Sequence, residues 1–194
     1  MGFDITRCFA SSINANENFV THIPEHWSMD DAITILSTYS TVWYGLIERA
    51  NLKRNESILI HSGAGGVGQS AIIICQYYNC DIYVTVGTEE KKQFLMNEYN
   101  IPEEKIFSSR DIVFKQKIKQ LTRGKGVDLV LNSLTGDKLD ASYECVANRG
   151  RFVELGKYDQ VLNKQIGMFD FLRDISFIGV AVDMCLFETQ DFAV

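Results

Sequence analysis

The sequence predicts an α/β fold, a doubly wound parallel sheet of the Rossmann type. Three observations carry this expectation. Short runs rich in apolar and β-branched residues alternate with helical stretches of about ten residues from residue 51 onward. The runs Ile58-Leu59-Ile60 and Leu129-Val130-Leu131 are apolar without a break, as strands covered on both faces require. The first of them leads into Gly63-Ala64-Gly65-Gly66-Val67-Gly68, a G-x-G-x-x-G turn that opens a helix.

The elements follow in order. Residues 1–25 read as irregular or β-like, with a turn at Asn14-Ala15-Asn16. Ser28 and Asp31 have capping-box spacing, which predicts helix over 29–36 and again over 40–50. Lys53 to Glu56 is a polar turn. Strands are predicted at 57–62, 81–86, 106–107, 127–132, 151–155 and 175–182, and helices at 66–78, 89–99, 112–122 and 137–146. Asn100 and Pro102 close the second of these helices. Such an alternation makes a complete doubly wound domain, with no internal repeat.

Composition excludes several classes. At 194 residues the chain holds one ordinary domain, or one domain and a piece of another. Hydrophobic residues at 46% exclude a disordered chain. Lys and Arg number 19 against 25 Asp and Glu, so no basic face for nucleic acid is expected. Apolar runs such as Ala71 to Cys75 are too short to span a bilayer. Cys8, Cys75, Cys80, Cys145 and Cys185 form no C-x-x-C pair and read as reduced thiols of a cytoplasmic protein. Asp4 and Arg7 interrupt any signal-peptide core, although Met1 to Thr6 matches the short myristoylation pattern. His22 and His26 flank Pro24 and share no helix face, so no metal site is expected.

The glycine-rich turn points to a dinucleotide. Gly63 is expected to make the tight turn, Gly65 to let the backbone approach a pyrophosphate, and Gly68 to let helix and strand pack closely. Amides at the helix start, near Gly66 and Val67, then face the anion, and Ala64 is expected to touch the cofactor within the same loop. An NAD site usually carries an acid at the end of the second strand. Here Val86-Gly87-Thr88 stands there, with Lys91, Lys92 and Arg110 nearby, which suits the 2′-phosphate of NADPH. The alternative keeps Thr88 as a helix cap, Glu89 and Glu90 as first-turn acids, and the lysines as a solvated face. His61 either approaches the cofactor or satisfies hydrogen bonds, and Phe169, Phe171 and Phe177 read as packing residues.

The runs Ser57 to Gln69, Thr85 to Lys92, Ser109-Arg110-Asp111, Gly126 to Leu134 and Gly150 to Lys157 together resemble the enoyl reductase domain of animal type I fatty acid synthase. That domain belongs to the medium-chain dehydrogenase/reductase superfamily, and related polyketide synthase reductases share much of the pattern. The resemblance implies that residues 1–50 are the remnant of a barrel-like, GroES-like substrate domain with connecting helices. Residues 51–194 then form the NADPH-binding domain. It also implies a piece of a larger multifunctional chain, with Met1 and Gly2 at a normally internal position and little activity for the piece alone.

The resemblance further implies NADPH-dependent reduction of 2,3-enoyl thioesters in fatty acid synthesis, on substrates presented by an acyl carrier protein. It assigns proton donation to Lys157 and Asp183. It places Asn132, Ser133 and Leu134 beside the nicotinamide, and Tyr39 and Thr41 toward the cofactor. Val42 stands where the family usually has Ala, so a narrowed pocket is expected there. A homodimer through the edge strand at 175–182 is implied, with neither nucleic acid nor membrane as partner. Two other readings remain: a non-catalytic nucleotide-binding or dimerisation module, and a stand-alone quinone or enone reductase.

Overall fold

The computed structural model describes residues 1–4, 8 and 10–184. Its sheet comprises β1 (Ser57–Ile60), β2 (Asp81–Val86), β3 (Ile106–Ser108), β4 (Val127–Asn132), β5 (Val146–Glu154) and β6 (Ser176–Gly179). All pairings are parallel, in the order β3-β2-β1-β4-β5-β6. Winding therefore reverses between β1 and β4, and a crevice opens there at the carboxyl ends of the strands. The two apolar runs lie side by side, Ile58 against Leu129, Leu59 against Val130 and Ile60 against Leu131. None of the six is more than 2% exposed.

Alternating side chains feed two cores. Ile58, Ile60, Leu129 and Leu131 pack with α1 (Met29–Val42), α2 (Gly66–Tyr77) and α3 (Glu89–Tyr99) on one face. Leu59, Val130 and Phe152 pack with α4 (Val113–Leu121) and α5 (Asp137–Tyr143) on the other. A short α6 (Tyr158–Val161) and a 3₁₀ segment (Met168–Arg173) connect β5 to β6.

Several boundaries differ from expectation. The predicted gap between two N-terminal helices is absent: α1 starts at the expected capping box of Ser28 and Asp31 and runs without a break into a π-helix, Trp43–Arg49. Ser37 to Thr41 are weak helix formers, but Thr38 and Thr41 donate their hydroxyls to the carbonyls of Thr34 and Ser37. Val42, Leu46 and Ala50, four apart, anchor this helix in the core, so packing overrides propensity. Val42 is fully buried, so its bulk fills core and does not narrow an open pocket. β5 begins earlier than expected, and β6 pairs only from Ser176 to Gly179.

Asn79 takes a left-handed backbone (φ 57°) after α2, and the Cys80 amide donates to the Cys75 carbonyl at 2.9 Å. This helix-terminating motif brings the two cysteines together without a disulfide between them. Cys8, Cys75, Cys80 and Cys145 are free, while Cys185 lies outside the described residues. No helix among the described residues is long and apolar enough to cross a membrane.

Candidate active site

The glycine loop divides its tasks differently from the simplest expectation. The sharp turn after β1 falls on Ser62, which is left-handed at φ 55°. Gly63 serves close approach: a Cβ there would lie 2.0 Å from Val84 Cγ1 of β2. Gly68 presses α2 onto the turn, since a Cβ would lie 2.5 Å from the Ser62 carbonyl oxygen. At Gly65 a Cβ would meet only that carbonyl, at 3.3 Å, and would otherwise enter open space. Gly65 also offers α2 no side-chain cap, so the amides of Gly66, Val67 and Gly68 lack intrahelical acceptors. A bare backbone cradle with free donors fits a diphosphate. Ala64 closes the loop, its carbonyl accepting from Gln69 Nε2 at 3.0 Å.

Beside Gly65 lies a cleft of about 250 Å³ that reaches Gly87, Lys91, Ser109 and Arg110. Arg110 Nε donates to the Gly87 carbonyl at 3.2 Å. Neither Lys91 nor Arg110 forms a salt bridge among the described residues. Lys92 is not brought to this cleft: its ammonium lies 2.7 Å from Glu103 and faces a neighbouring cavity. Thr88 caps α3, accepting from the Lys91 amide at 3.4 Å. Glu89 and Glu90 sit in the first turn of α3, and neither lines the cleft.

At the other end of the crevice the loop after β4 carries Asn132, Ser133 and Leu134. Ser133 Oγ lies 3.1 Å from Ser62 Oγ, joining the β4 loop to the glycine turn. Asn132 is buried and folds its amide onto its own loop, donating to the Leu134 carbonyl (2.8 Å) and accepting from the Leu134 amide (3.2 Å). The same Nδ2 donates to Glu154 Oε2 at 2.7 Å. Glu154 was not among the expected site residues. Its signal is a charged residue closing an apolar strand, and burial pushes its carboxyl up to about 7.

Lys157 follows β5 and Asp183 follows β6, and the structure joins them: Lys157 Nζ donates to Asp183 Oδ2 at 2.6 Å. That bond holds the Asp183 carboxyl below its ordinary value. Tyr39 lines a cleft of about 450 Å³ with Trp43, Tyr44 and Val182, next to Asp183 in sequence. Thr41, two residues further along α1, does not line this cleft, and its hydroxyl donates to the Ser37 carbonyl at 2.7 Å.

His61 is buried and satisfied. Ser142 donates its one hydroxyl hydrogen to the Lys138 carbonyl (2.6 Å), so it accepts from His61 Nε2 (2.8 Å). Nδ1 then accepts from Thr85 Oγ1 at 2.8 Å. Burial pushes the imidazole down to about 3, so it is neutral. Phe177 stacks on Phe152 at 5.3 Å between ring centroids. Phe169, expected to pack, is 82% exposed among the described residues, because it sits on the 3₁₀ segment outside both cores.

A doubly wound sheet with a glycine cradle and a charged pair at the carboxyl ends of its strands defines a dinucleotide-binding domain of the oxidoreductase type. Comparison with known proteins agrees. The zinc-binding dehydrogenase family matches residues 66–193. A putative enoyl reductase domain of a polyketide synthase is 36% identical, with a TM-score of 0.70 over 77% of this chain and 80% of that one. The nucleotide-binding subdomain of the enoylreductase domain of PpsC from Mycobacterium tuberculosis is 37% identical, with a TM-score of 0.70 over 77% and 82% of the two chains. The highly reducing polyketide synthase claI of Penicillium crustosum is 45% identical over 172 residues, which are 89% of this chain and 7% of that protein. The chain thus spans less than a tenth of the length of such curated relatives and belongs to the zinc-binding dehydrogenase family, as an enoyl reductase domain of the polyketide synthase kind. Among the described residues no three His, Cys, Asp or Glu side chains come together to hold a metal. The donor set among the described residues does not fit zinc.

Proposed function

We propose that the chain is the nucleotide-binding part of an NADPH-dependent enoyl-thioester reductase within a multidomain synthase, acting on 2,3-unsaturated acyl groups carried by an acyl carrier protein. One observation carries the reading: Lys157 and Asp183 meet at the carboxyl ends of β5 and β6, the same edge of the parallel sheet from which the glycine turn leaves β1. The glycine loop with Lys91 and Arg110 would hold NADPH, which when bound would supply a hydride to the β-carbon of the substrate. Negative charge then develops on the thioester oxygen, and a proton must reach the α-carbon. Lys157 donates one N–H to Asp183 and keeps two, enough to hold that oxygen or deliver that proton. Asp183 orients the ammonium through that bond.

Lys91 and Arg110, beside Gly65 and without salt-bridge partners among the described residues, support the 2′-phosphate and hence NADPH over NADH. Relatives at 45% identity are polyketide synthases, which favours that setting over fatty acid synthesis. The outer edge of β6 pairs with no strand among the described residues, which supports a two-fold partner there. Free thiols support a reducing, cytoplasmic compartment.

The test replaces Lys157→Ala and Asp183→Asn in the full-length protein. Turnover of a crotonyl thioester is expected to fall by about 100-fold or more, the usual scale for a proton donor, with NADPH affinity kept within about 2-fold. Unchanged turnover removes both residues from the mechanism, and a wild-type protein that does not oxidise NADPH with this thioester overturns the reading.

A further inference from the structure

We infer that Glu154 is a positioning residue that ties the loop after β4 and the loop after β5 into one rigid unit; this rests on the reductase reading of the crevice. Glu154 closes β5, is 1% exposed, and stands directly across from Asn132 of β4 in the sheet register. One oxygen accepts from Asn132 Nδ2 at 2.7 Å and the other from the Gly156 amide at 2.6 Å. Asn132 passes the restraint to both polar backbone atoms of Leu134. Gly156 passes it to Lys157, the next residue. Contact at Gly156 is tight, since a Cβ there would lie 2.7 Å from Glu154 Oε1. One carboxylate therefore sets the spacing between Ser133-Leu134 and Lys157.

The geometry asks for an acid. Both partners are donors, so a carboxylate can accept from both, whereas a glutamine would turn an NH₂ group toward one N–H. A protonated carboxyl likewise weakens one of the two bonds. Glu154 also lines a cavity of about 270 Å³. The ionisable groups across it are Asp159 and Lys164. Asp159 accepts from the Gly136 amide at 2.9 Å, and Lys164 donates to the Gly136 carbonyl and to Asp140, each at 2.9 Å. These contacts anchor the far end of the β4 loop. Neither residue makes a hydrogen bond or ion pair to Glu154, and among the described residues no cation forms a salt bridge with it. Burial then brings its titration to about 7, within the working range of an enzyme.

The test uses Glu154→Gln and the wild type in the full-length protein. Hydrogen exchange, corrected for intrinsic rates, is expected to quicken by about 10-fold at Gly156 and Leu134 in the variant, the scale of one lost hydrogen bond, with β1 and β2 unchanged. The wild type is expected to show the same loss on going from pH 8 to pH 6. With a crotonyl thioester, kcat of the variant at pH 8 is expected to fall by about 10-fold while NADPH affinity stays within about 2-fold. The wild-type fall in kcat below pH 7 is expected to be absent from the variant. Wild-type exchange and kcat in the variant would overturn the proposal. If the variant does not fold, wild-type exchange decides alone: protection at Gly156 and Leu134 that ignores pH overturns the coupling. If the exchange result holds but the wild type does not reduce the thioester, the reductase reading fails and the clamp stands.

Discussion

Two buried titrations of opposite sign should nearly cancel in the stability of this protein. His61 is neutral in the fold, with a pKa pushed down to about 3 from 6.5. The unfolded chain therefore binds more protons than the folded one between these values. Stability from this residue is fully present above about pH 6.5 and is lost as pH falls. Glu154 is pushed up to about 7 from 4.5, so the folded chain binds more protons in that window. Its contribution is fully present below about pH 4.5 and is lost as pH rises through 7. Integrated from pH 7 down to pH 5, His61 removes about 2 kcal/mol and Glu154 returns about 2 kcal/mol. Wild-type stability should then change by less than about 1 kcal/mol across that interval, while Glu154→Gln falls by about 2 kcal/mol and His61→Gln rises by about 2 kcal/mol. Urea denaturation of all three proteins at pH 7, 6 and 5 measures this. Differences from wild type isolate each residue, because every other titration is shared. Parallel curves for Glu154→Gln and wild type would refute the buried-acid argument, and parallel curves for His61→Gln would refute the buried-imidazole one.

Two further outcomes concern the nucleotide end. Lys91→Ala with Arg110→Ala should weaken NADPH by about 100-fold, the scale of lost charge-assisted hydrogen bonds, and leave NADH within about 2-fold in a fluorescence titration. Equal losses for both coenzymes would contradict the 2′-phosphate assignment. Gly63→Ala, whose Cβ would overlap Val84, should lower stability by about 2 kcal/mol or more in denaturation experiments. Gly65→Ala should stay within about 0.5 kcal/mol of wild type yet bind either coenzyme at least about 10-fold more weakly by calorimetry. A destabilised Gly65→Ala would show that Gly65 is structural.

The sheet was legible because its signals are local. Unbroken apolar triplets mark β1 and β4, and the glycine turn marks the first crossover. Lys157 and Asp183, 26 positions apart, came from resemblance, since only the sheet order brings β5 beside β6 and so makes them partners. Lys92 was misplaced because adjacent lysines on a helix point about 100° apart, so Lys91 and Lys92 cannot both face one cleft. The continuous helix through Ser37 to Thr41 was hidden because hydroxyl side chains satisfy themselves on the preceding turn, a choice that composition does not disclose. Glu154 carries no local signal of its burial, because an acid at a strand end normally reaches solvent, and Leu139, Ile166 and Phe177, which line the cavity beside it, are all distant in sequence.

The pairing of Asn132 with Glu154 is itself a product of an irregularity in the sheet. Val127 pairs with Val146, but Leu129 pairs with Arg151, so β5 uses three more residues than β4 between these pairs. Had the first pairing continued unshifted, Arg151 would stand opposite Asn132 and Glu154 would lie beyond the end of β4. Arg149 turns left-handed (φ 63°) within the extra segment, and Gly150 passes so close to it that a Cβ would lie 2.6 Å from Val146 Cγ1. Arg151 is thereby left at the opposite end of the sheet, where Glu56 takes both its terminal nitrogens, at 3.0 and 2.6 Å. The bulge thus sorts two charged residues of one strand, sending the cation to the structural end and the acid to the reactive end. A register slip here would reverse that placement.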